Sequence, residues 1–486
     1  MRTARLASFL PLLPALALLL ALLAMVPNDP ATGFTISGSP FSDEGFDLLN
    51  ARNQVLFGSW STGDWNLHLV NGPFSAAMAG VFSLFGVEMV PARVLMALVS
   101  AASVAALGVM VAARFGHRFG HWAGFVAALG VAANALVLYY GRLAFLEPLV
   151  TFFMVAGAAL LALAPYRASF ALGLAGGALL GLAIATKANA GFAVVGLLVG
   201  MTLAGSFRDP RTRRRVGGAA AGILLVGAGW LLVVALPNWS AVVADLKIWA
   251  QPTGPADAAE LLVRLAKYPR ESDGAVAFSL MLLIAAVAGA VYARRRWRTY
   301  DRGLRLLIGG AAGWFAAGTF VLMAVDYRPN RYAVPLLPAL AVLAAVAAWE
   351  VAWMLRRNGA ARVAAMAVLS IGLVVPGAVA YTGWAASASQ QGLALQAALV
   401  RQIPPGEGVE GELAPMLALT TRSSIFVSRP ADGIDEGDLR TERNVRWVIV
   451  RPGQGPAWVD PAAWARSSVA TCFDWGGRRQ CLVRIP

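Results

Sequence analysis

Ionisable side chains are scarce in this chain. Asp, Glu, Lys and Arg make up 14% of its 486 residues against 58% apolar residues, which leaves more apolar surface than one soluble core could bury. A soluble globular enzyme is thereby excluded. Histidine (3) and cysteine (2) are rarer still, and neither falls in a CxxC or HExxH pattern, so zinc and redox centres of the usual spacings have no support. No phosphate-cradling glycine loop, internal repeat or low-complexity tract is present, so nucleotide-dependent chemistry lacks a motif. The charge that remains is unbalanced, with 40 Lys and Arg against 26 Asp and Glu. A net charge of +14 would point to nucleic acid in a soluble protein. Here the basic residues form short clusters between long apolar runs, which orients a chain in a bilayer and implies no nucleic-acid partner.

What is there is a series of apolar runs, each near the roughly 20 residues that a membrane-crossing helix needs. They lie at 7–25, 91–113, 120–138, 148–164, 169–186, 190–206, 216–236, 274–293, 304–325, 332–355 and 363–383, about eleven crossings in all. The first resembles a signal peptide, but the many later spans make it a retained anchor. Residues 172–205 are apolar apart from Lys187 and Asn189. As one helix they would be roughly 50 Å long, too long for a core about 30 Å thick, so two spans should meet at Lys187.

Arg2/Arg5, Arg114/Arg118, Arg167, the run at 208–215, the RRRWR run at 294–298 and Arg356/Arg357/Arg362 fall in every second connection. By the positive-inside rule these connections and the N-terminus are cytoplasmic. The opposite, outer face receives 27–90, 139–147, the Lys187 turn, 237–273, 326–332 and everything after 384. Residues 73–87 are apolar but too short to cross, and read as an interfacial helix on that face. The tail, 385–486, predicts an amphipathic helix at 390–402 followed by strands at SIFVS, RWVIV and ATCFDW/QCLVRI, a small soluble α/β domain. Both cysteines, Cys472 and Cys481, flank a WGG turn there, and an oxidising outer compartment would bridge them as a structural staple. The expected architecture is thus an all-α polytopic membrane bundle over 1–384 with an extracytoplasmic α/β domain behind it.

The tract FSDEGFD, 41–47, places three carboxylates directly after the first span. Asp43 and Glu44 offer a general base, and Arg142, Lys187, Arg328 and Arg331 offer cations at three other span ends, with His68 in the first outer loop. Cations converging from several spans would make an anion site, most naturally for a lipid phosphate. Each has a plainer explanation. Asp43 and Glu44 sit where a helix N-terminus favours acids, and Asp47, one turn along, reads as structural. Lys187 can snorkel to the interface, Arg142 can pair with Glu147, one of Arg328 and Arg331 can serve as an outer-face anchor, and His68 can be an ordinary loop residue.

These residues carry a resemblance to the GT-C glycosyltransferases, multispanning enzymes that take a sugar from a polyprenyl-phosphate carrier, and in particular to the branch of protein O-mannosyltransferases and lipid A aminoarabinose transferases. The acidic pair of the first outer loop matches Asp43 and Glu44. Residues 65–95, WNLHLVNGPFSAAMAGVFSLFGVEMVPARVL, resemble the loop and interfacial helix that follow, with Arg93 in the family's usual arginine position. GRLAFLEPLVTFF, 141–153, and RYAVPLLPALAVLAA, 331–345, resemble its Arg-to-acid element and its late Arg-Tyr/Pro/Pro span. The chain departs from the aminoarabinose branch at 70–73, where a donor-gripping lysine before two prolines is missing, a role that would fall to His68 or Lys187. It also lacks the large luminal insert of the protein mannosyltransferases.

The resemblance implies an inverting transfer from a polyprenyl-phosphate sugar to a hydroxyl of a glycolipid, envelope polysaccharide or protein, on the outer face of a bacterial cytoplasmic membrane. Asp43 would be the base, with Glu44 beside it. Lys187, Arg328, Arg331 and Arg142 would bind donor phosphate, and His68, Glu147 and Tyr332 would contact substrate. No cofactor is required, and a divalent metal is allowed but not demanded. The competing reading is a polytopic transporter or lipid flippase, against which stand clean spans, no related halves and polar residues gathered at the outer ends.

Overall fold

The computed structural model describes residues 9–30, 43–116, 119–163, 169–205, 209–249, 259–260, 263, 280–324, 329–427, 435, 437, 439–475 and 477–486. Its helices in chain order are α1 Leu13–Met25, α2 Asp43–Phe57, α3 Gly72–Phe85, α4 Met89–Phe115, α5 Gly120–Ala132, α6 Ala135–Tyr140, α7 Leu146–Leu163, α8 Ser169–Thr186, α9 Ala190–Gly205, α10 Pro210–Trp230, α11 Trp239–Trp249, α12 Leu280–Arg296, α13 Arg302–Ala324, α14 Leu337–Met354 and α15 Gly359–Ala386. Seven described helices are long and apolar enough to cross a membrane: α4, α7, α8, α10 with its extension to Ala235, α13, α14 with its lead-in from Asn330, and α15. The other expected crossings fall on the shorter α1, α5, α9 and α12. α14 is the axis of the bundle, 83% buried, whereas α10 and α15, at 22% and 17%, lie at its rim and turn Leu224, Val233, Val368 and Val379 outward.

The break expected at Lys187 separates α8 from α9. A second break was not expected. The run at 120–138 divides at Ala133–Asn134, because the Asn134 side chain accepts the Leu136 amide at 3.0 Å and caps a new helix, α6. Helices approach closely where the sequence offers glycine. A Cβ on Gly200 or Gly196 of α9 would collide with the carbonyls of Gly309 or Gly313 on α13, so these helices meet backbone to backbone, as lipid-embedded helices do with small residues at the contact.

Behind α15 come α16 (Gln391–Gln402), α17 (Ala414–Leu417), α18 (Leu439–Arg443) and α19 (Pro461–Ala465), with strands β1 Gly408–Glu410, β2 Ile425–Phe426, β3 Val445–Val450, β4 Ser468–Trp475 and β5 Arg478–Arg484. The sheet order is β2-β1-β3-β5-β4, parallel through β2-β1-β3 and antiparallel through β3-β5-β4. Cys472 and Cys481 are direct cross-strand partners on β4 and β5 and are bonded to each other.

This α/β unit grips α2. Gly45 lies so close to Pro415 and Met416 that any Cβ would strike their backbone. About two turns further on, Arg52 is fully buried, donating from Nε to Leu419 O (2.7 Å) and from Nη2 to the carbonyls of Thr421 (2.6 Å) and Ser423 (2.7 Å). Asp29 ties the N-terminal segment to the same unit by accepting the Gly392 amide and the Ser389 hydroxyl. Replacing Arg52 with Ala strands three buried carbonyls and should lower stability by on the order of 3 kcal/mol. A fall in the thermal unfolding midpoint of the detergent-solubilised protein would register it; a midpoint equal to wild type would show the contacts to be dispensable.

Candidate active site

The helix α2 opens on the acidic tract, and its first turn is fixed from behind. Arg93 of α4 grips Glu44 with both arms, Nε to Oε1 at 2.9 Å and Nη2 to Oε2 at 2.6 Å, while its Nη1 reaches the carbonyls of Val26 and Asn28 at 3.0 Å. The Ala144 amide adds a third bond to Glu44 at 2.8 Å. Burial pushes the Glu44 carboxyl up, but the Arg93 guanidinium outweighs it and holds the group below its ordinary range. Glu44, expected beside Asp43 as a catalytic residue, has its carboxylate fully enclosed and its acceptors taken.

Asp43 points the other way. Its side chain keeps 37% exposure and accepts from Arg331 Nη1 at 2.8 Å. The same guanidinium sets its Nε 3.4 Å from Glu147 Oε1, and Lys187 Nζ sits 2.5 Å from that oxygen. Tyr332 floors the cluster, with the Lys187 ammonium 3.7 Å from its ring centroid, and Arg331 also lies over the Phe145 ring at 5.1 Å. Four stretches distant in sequence, at the starts of α2 and α7, the end of α8 and the lead-in to α14, thus meet at one point.

Asp47 belongs to this cluster, although the sequence marked it as structural. It follows Asp43 by four residues, one helical turn on the same face. Burial and the nearby carboxylates of Glu147 and Asp43 push its carboxyl well above the ordinary range, against the pull of Arg331 and Lys187.

Other expected residues lie elsewhere. Arg142 is fully buried and does not face Lys187: its Nη1 donates to Asn28 O at 2.7 Å and its guanidinium covers the Trp384 ring at 4.7 Å, so it secures the N-terminal segment instead of a donor phosphate. Glu147 pairs with Lys187 and Arg331, not with Arg142. His68 stacks on Trp60 (5.4 Å) and its backbone amide is held by Asn50; burial lowers its imidazole to about 4, leaving it neutral and unsuited to replace a phosphate-gripping lysine. Arg328 lies outside the described residues. Among the described residues no group of His, Cys, Asp and Glu is arranged to hold a metal ion.

The family model for dolichyl-phosphate-mannose-protein mannosyltransferases matches residues 59–239, which include Arg93, Glu147 and Lys187. Among solved structures, the chain is similar to ArnT from Cupriavidus metallidurans bound to undecaprenyl phosphate, at 16% identity and a TM-score of 0.66, covering 96% of this chain and 97% of that one. The apo state of the same protein gives 0.65, with 97% of each chain covered. The archaeal oligosaccharyltransferase AglB from Archaeoglobus fulgidus, in complex with an inhibitory peptide and a dolichol-phosphate, gives 0.51 at 14% identity over 90% of this chain and 69% of that one. No curated protein matches the chain in sequence. At such identities the structural likeness is one of fold, which this chain shares with ArnT and AglB. The family match covers residues 59–239 of this multi-pass membrane chain, well under half its length.

The raised Asp47 carboxyl carries a sign for stability. Its folded form keeps a proton that the unfolded chain releases above about 3.8, so Asp47 weakens the fold progressively as pH rises through the folded value. Asp47→Asn lacks that penalty. Its unfolding midpoint relative to wild type should rise between pH 4 and pH 8; a difference independent of pH would place Asp47 outside the charge cluster.

Proposed function

We propose that this protein transfers a glycosyl group from a polyprenyl-phosphate carrier to a hydroxyl acceptor, with inversion, at the outer face of a bacterial cytoplasmic membrane. The observation that carries the reading is the single guanidinium of Arg331, which joins the accessible carboxylate of Asp43 at 2.8 Å to the Glu147–Lys187 pair. A base and a phosphate-binding group thereby stand side by side at the ends of membrane helices, where the head of a lipid carrier would lie. The undecaprenyl phosphate bound to ArnT and the dolichol-phosphate bound to AglB support a donor of this chemistry.

In the reaction so supported, the acceptor hydroxyl attacks the anomeric carbon opposite the phosphate, a carbon–oxygen bond forms, and the bond to phosphate breaks with its electron pair leaving on the carrier. The hydroxyl proton passes to Asp43. Lys187 and Arg331 turn from their resting carboxylate partners to the phosphate and stabilise its growing charge. Glu147 holds both cations in register between turnovers, and Glu44, through Arg93, keeps the start of α2 in place. The RRRWR run and the other basic clusters favour an orientation with the cluster outside. Acceptors consistent with the open side of Asp43 are a glycolipid, an envelope polysaccharide or a protein hydroxyl.

Native mass spectrometry of the purified protein, wild type and Asp43→Asn, tests this. The variant should retain a glycosylated polyprenyl phosphate while turnover falls about 10²- to 10⁴-fold, the usual contribution of a positioned base. Absence of any polyprenyl phosphate from both forms would overturn the donor assignment and favour transport.

A further inference from the structure

The far end of the bundle holds a second feature that the transfer chemistry does not use. α12 and α13 both pack against α14 but scarcely touch each other, leaving a crevice of about 770 Å³ between them. Its walls are small, Ala290 and Ala293 from α12 and Gly309 and Ala312 from α13, and Leu343 of α14 forms the floor. Ala290 and Ala312 are exposed, so the crevice opens sideways toward the bilayer.

Its mouth is the RRRWR turn. Arg296 is engaged inward, 2.7 Å from Glu350 and over the Trp353 ring at 4.4 Å, and Tyr300 donates to the other Glu350 oxygen at 2.8 Å. Arg294, Arg295 and Arg298 are exposed, line the crevice, and have no carboxylate partner among the described residues. Among the described residues no acid lines the crevice. Three unneutralised guanidinia above an apolar slot call for a ligand with a net negative head and a hydrocarbon tail; a zwitterionic head would bring its own cation against them.

We propose that this crevice binds one anionic glycerophospholipid of the cytoplasmic leaflet, its phosphate among Arg294, Arg295 and Arg298 and an acyl chain laid over Ala290, Ala312 and Leu343. General attraction of a basic loop to an anionic surface would need no crevice, and that difference is testable. Full-length protein is exchanged into micelles holding equal phosphatidylglycerol and phosphatidylcholine of identical acyl chains, and retained lipid is counted by native mass spectrometry. Wild type should retain one phosphatidylglycerol with roughly tenfold preference. The triple variant R294Q/R295Q/R298Q should lose the preference. Because those arginines also orient the chain, A290F/A312F decides: both alanines are exposed, so the rings fill the slot without displacing protein, and retention should disappear with all charges intact. Equal retention of the two lipids by wild type, undiminished phosphatidylglycerol on A290F/A312F, or a polyprenyl phosphate in its place would each overturn the assignment.

Discussion

The buried pair between Arg93 and Glu44 is the constraint on which the site depends. One guanidinium meets one carboxylate in a two-armed contact, and their remaining valences go to Val26 O, Asn28 O and the Ala144 amide. Four segments are thereby joined: the exit from α1, the start of α2, the start of α4 and the turn before α7. An ion pair removed from water gains little net stability over an apolar substitute. What it supplies is direction, since the two-armed contact leaves α2 one way to enter the site and sends the neighbouring Asp43 to the opposite, open side.

The far end of α2 is held by a different device. Arg52 reads three carbonyls of the α/β unit, while Gly45 lets Pro415 and Met416 come within backbone contact. The helix that carries Asp43 is therefore held by the membrane bundle on one side and by the C-terminal unit on the other. The contact with Pro415 and Met416 also accounts for the conspicuous glycine in the acidic tract, which a helix alone would disfavour.

The charge cluster shows why environment matters more than residue type. Asp43, Glu44 and Asp47 are three carboxylates within five positions, yet one is enclosed by arginine and kept ionised, one is pushed toward its neutral form, and one remains accessible beside Arg331. Lys187 and Arg331 both rest on Glu147, which orders the two cations beside each other. Arg142 is the counterexample: an arginine at a span end, next to the site in sequence, but directed into the fold.

Much of the architecture was legible from hydropathy alone, because a bilayer about 30 Å thick imposes helix length and position directly on apolar runs. The division at Lys187 and the small α/β tail followed from such length and alternation rules, and the pairing of the two cysteines from their place on either side of a turn. The roles of individual charges did not. Whether Glu44 or Asp43 faces the site, whether Arg142 or Arg331 meets a carboxylate, and that Asp47 joins the cluster depend on rotations and contacts among helices distant in sequence. The i, i+4 spacing of Asp43 and Asp47 was a signal for the last, but it cannot say which face of a helix a neighbour will cover. The sequence by itself determined which charged residues flank the apolar helices, through solvation; the tertiary structure decided which of them meet, because pairing among buried charges depends on distances of a few ångströms that only packing sets.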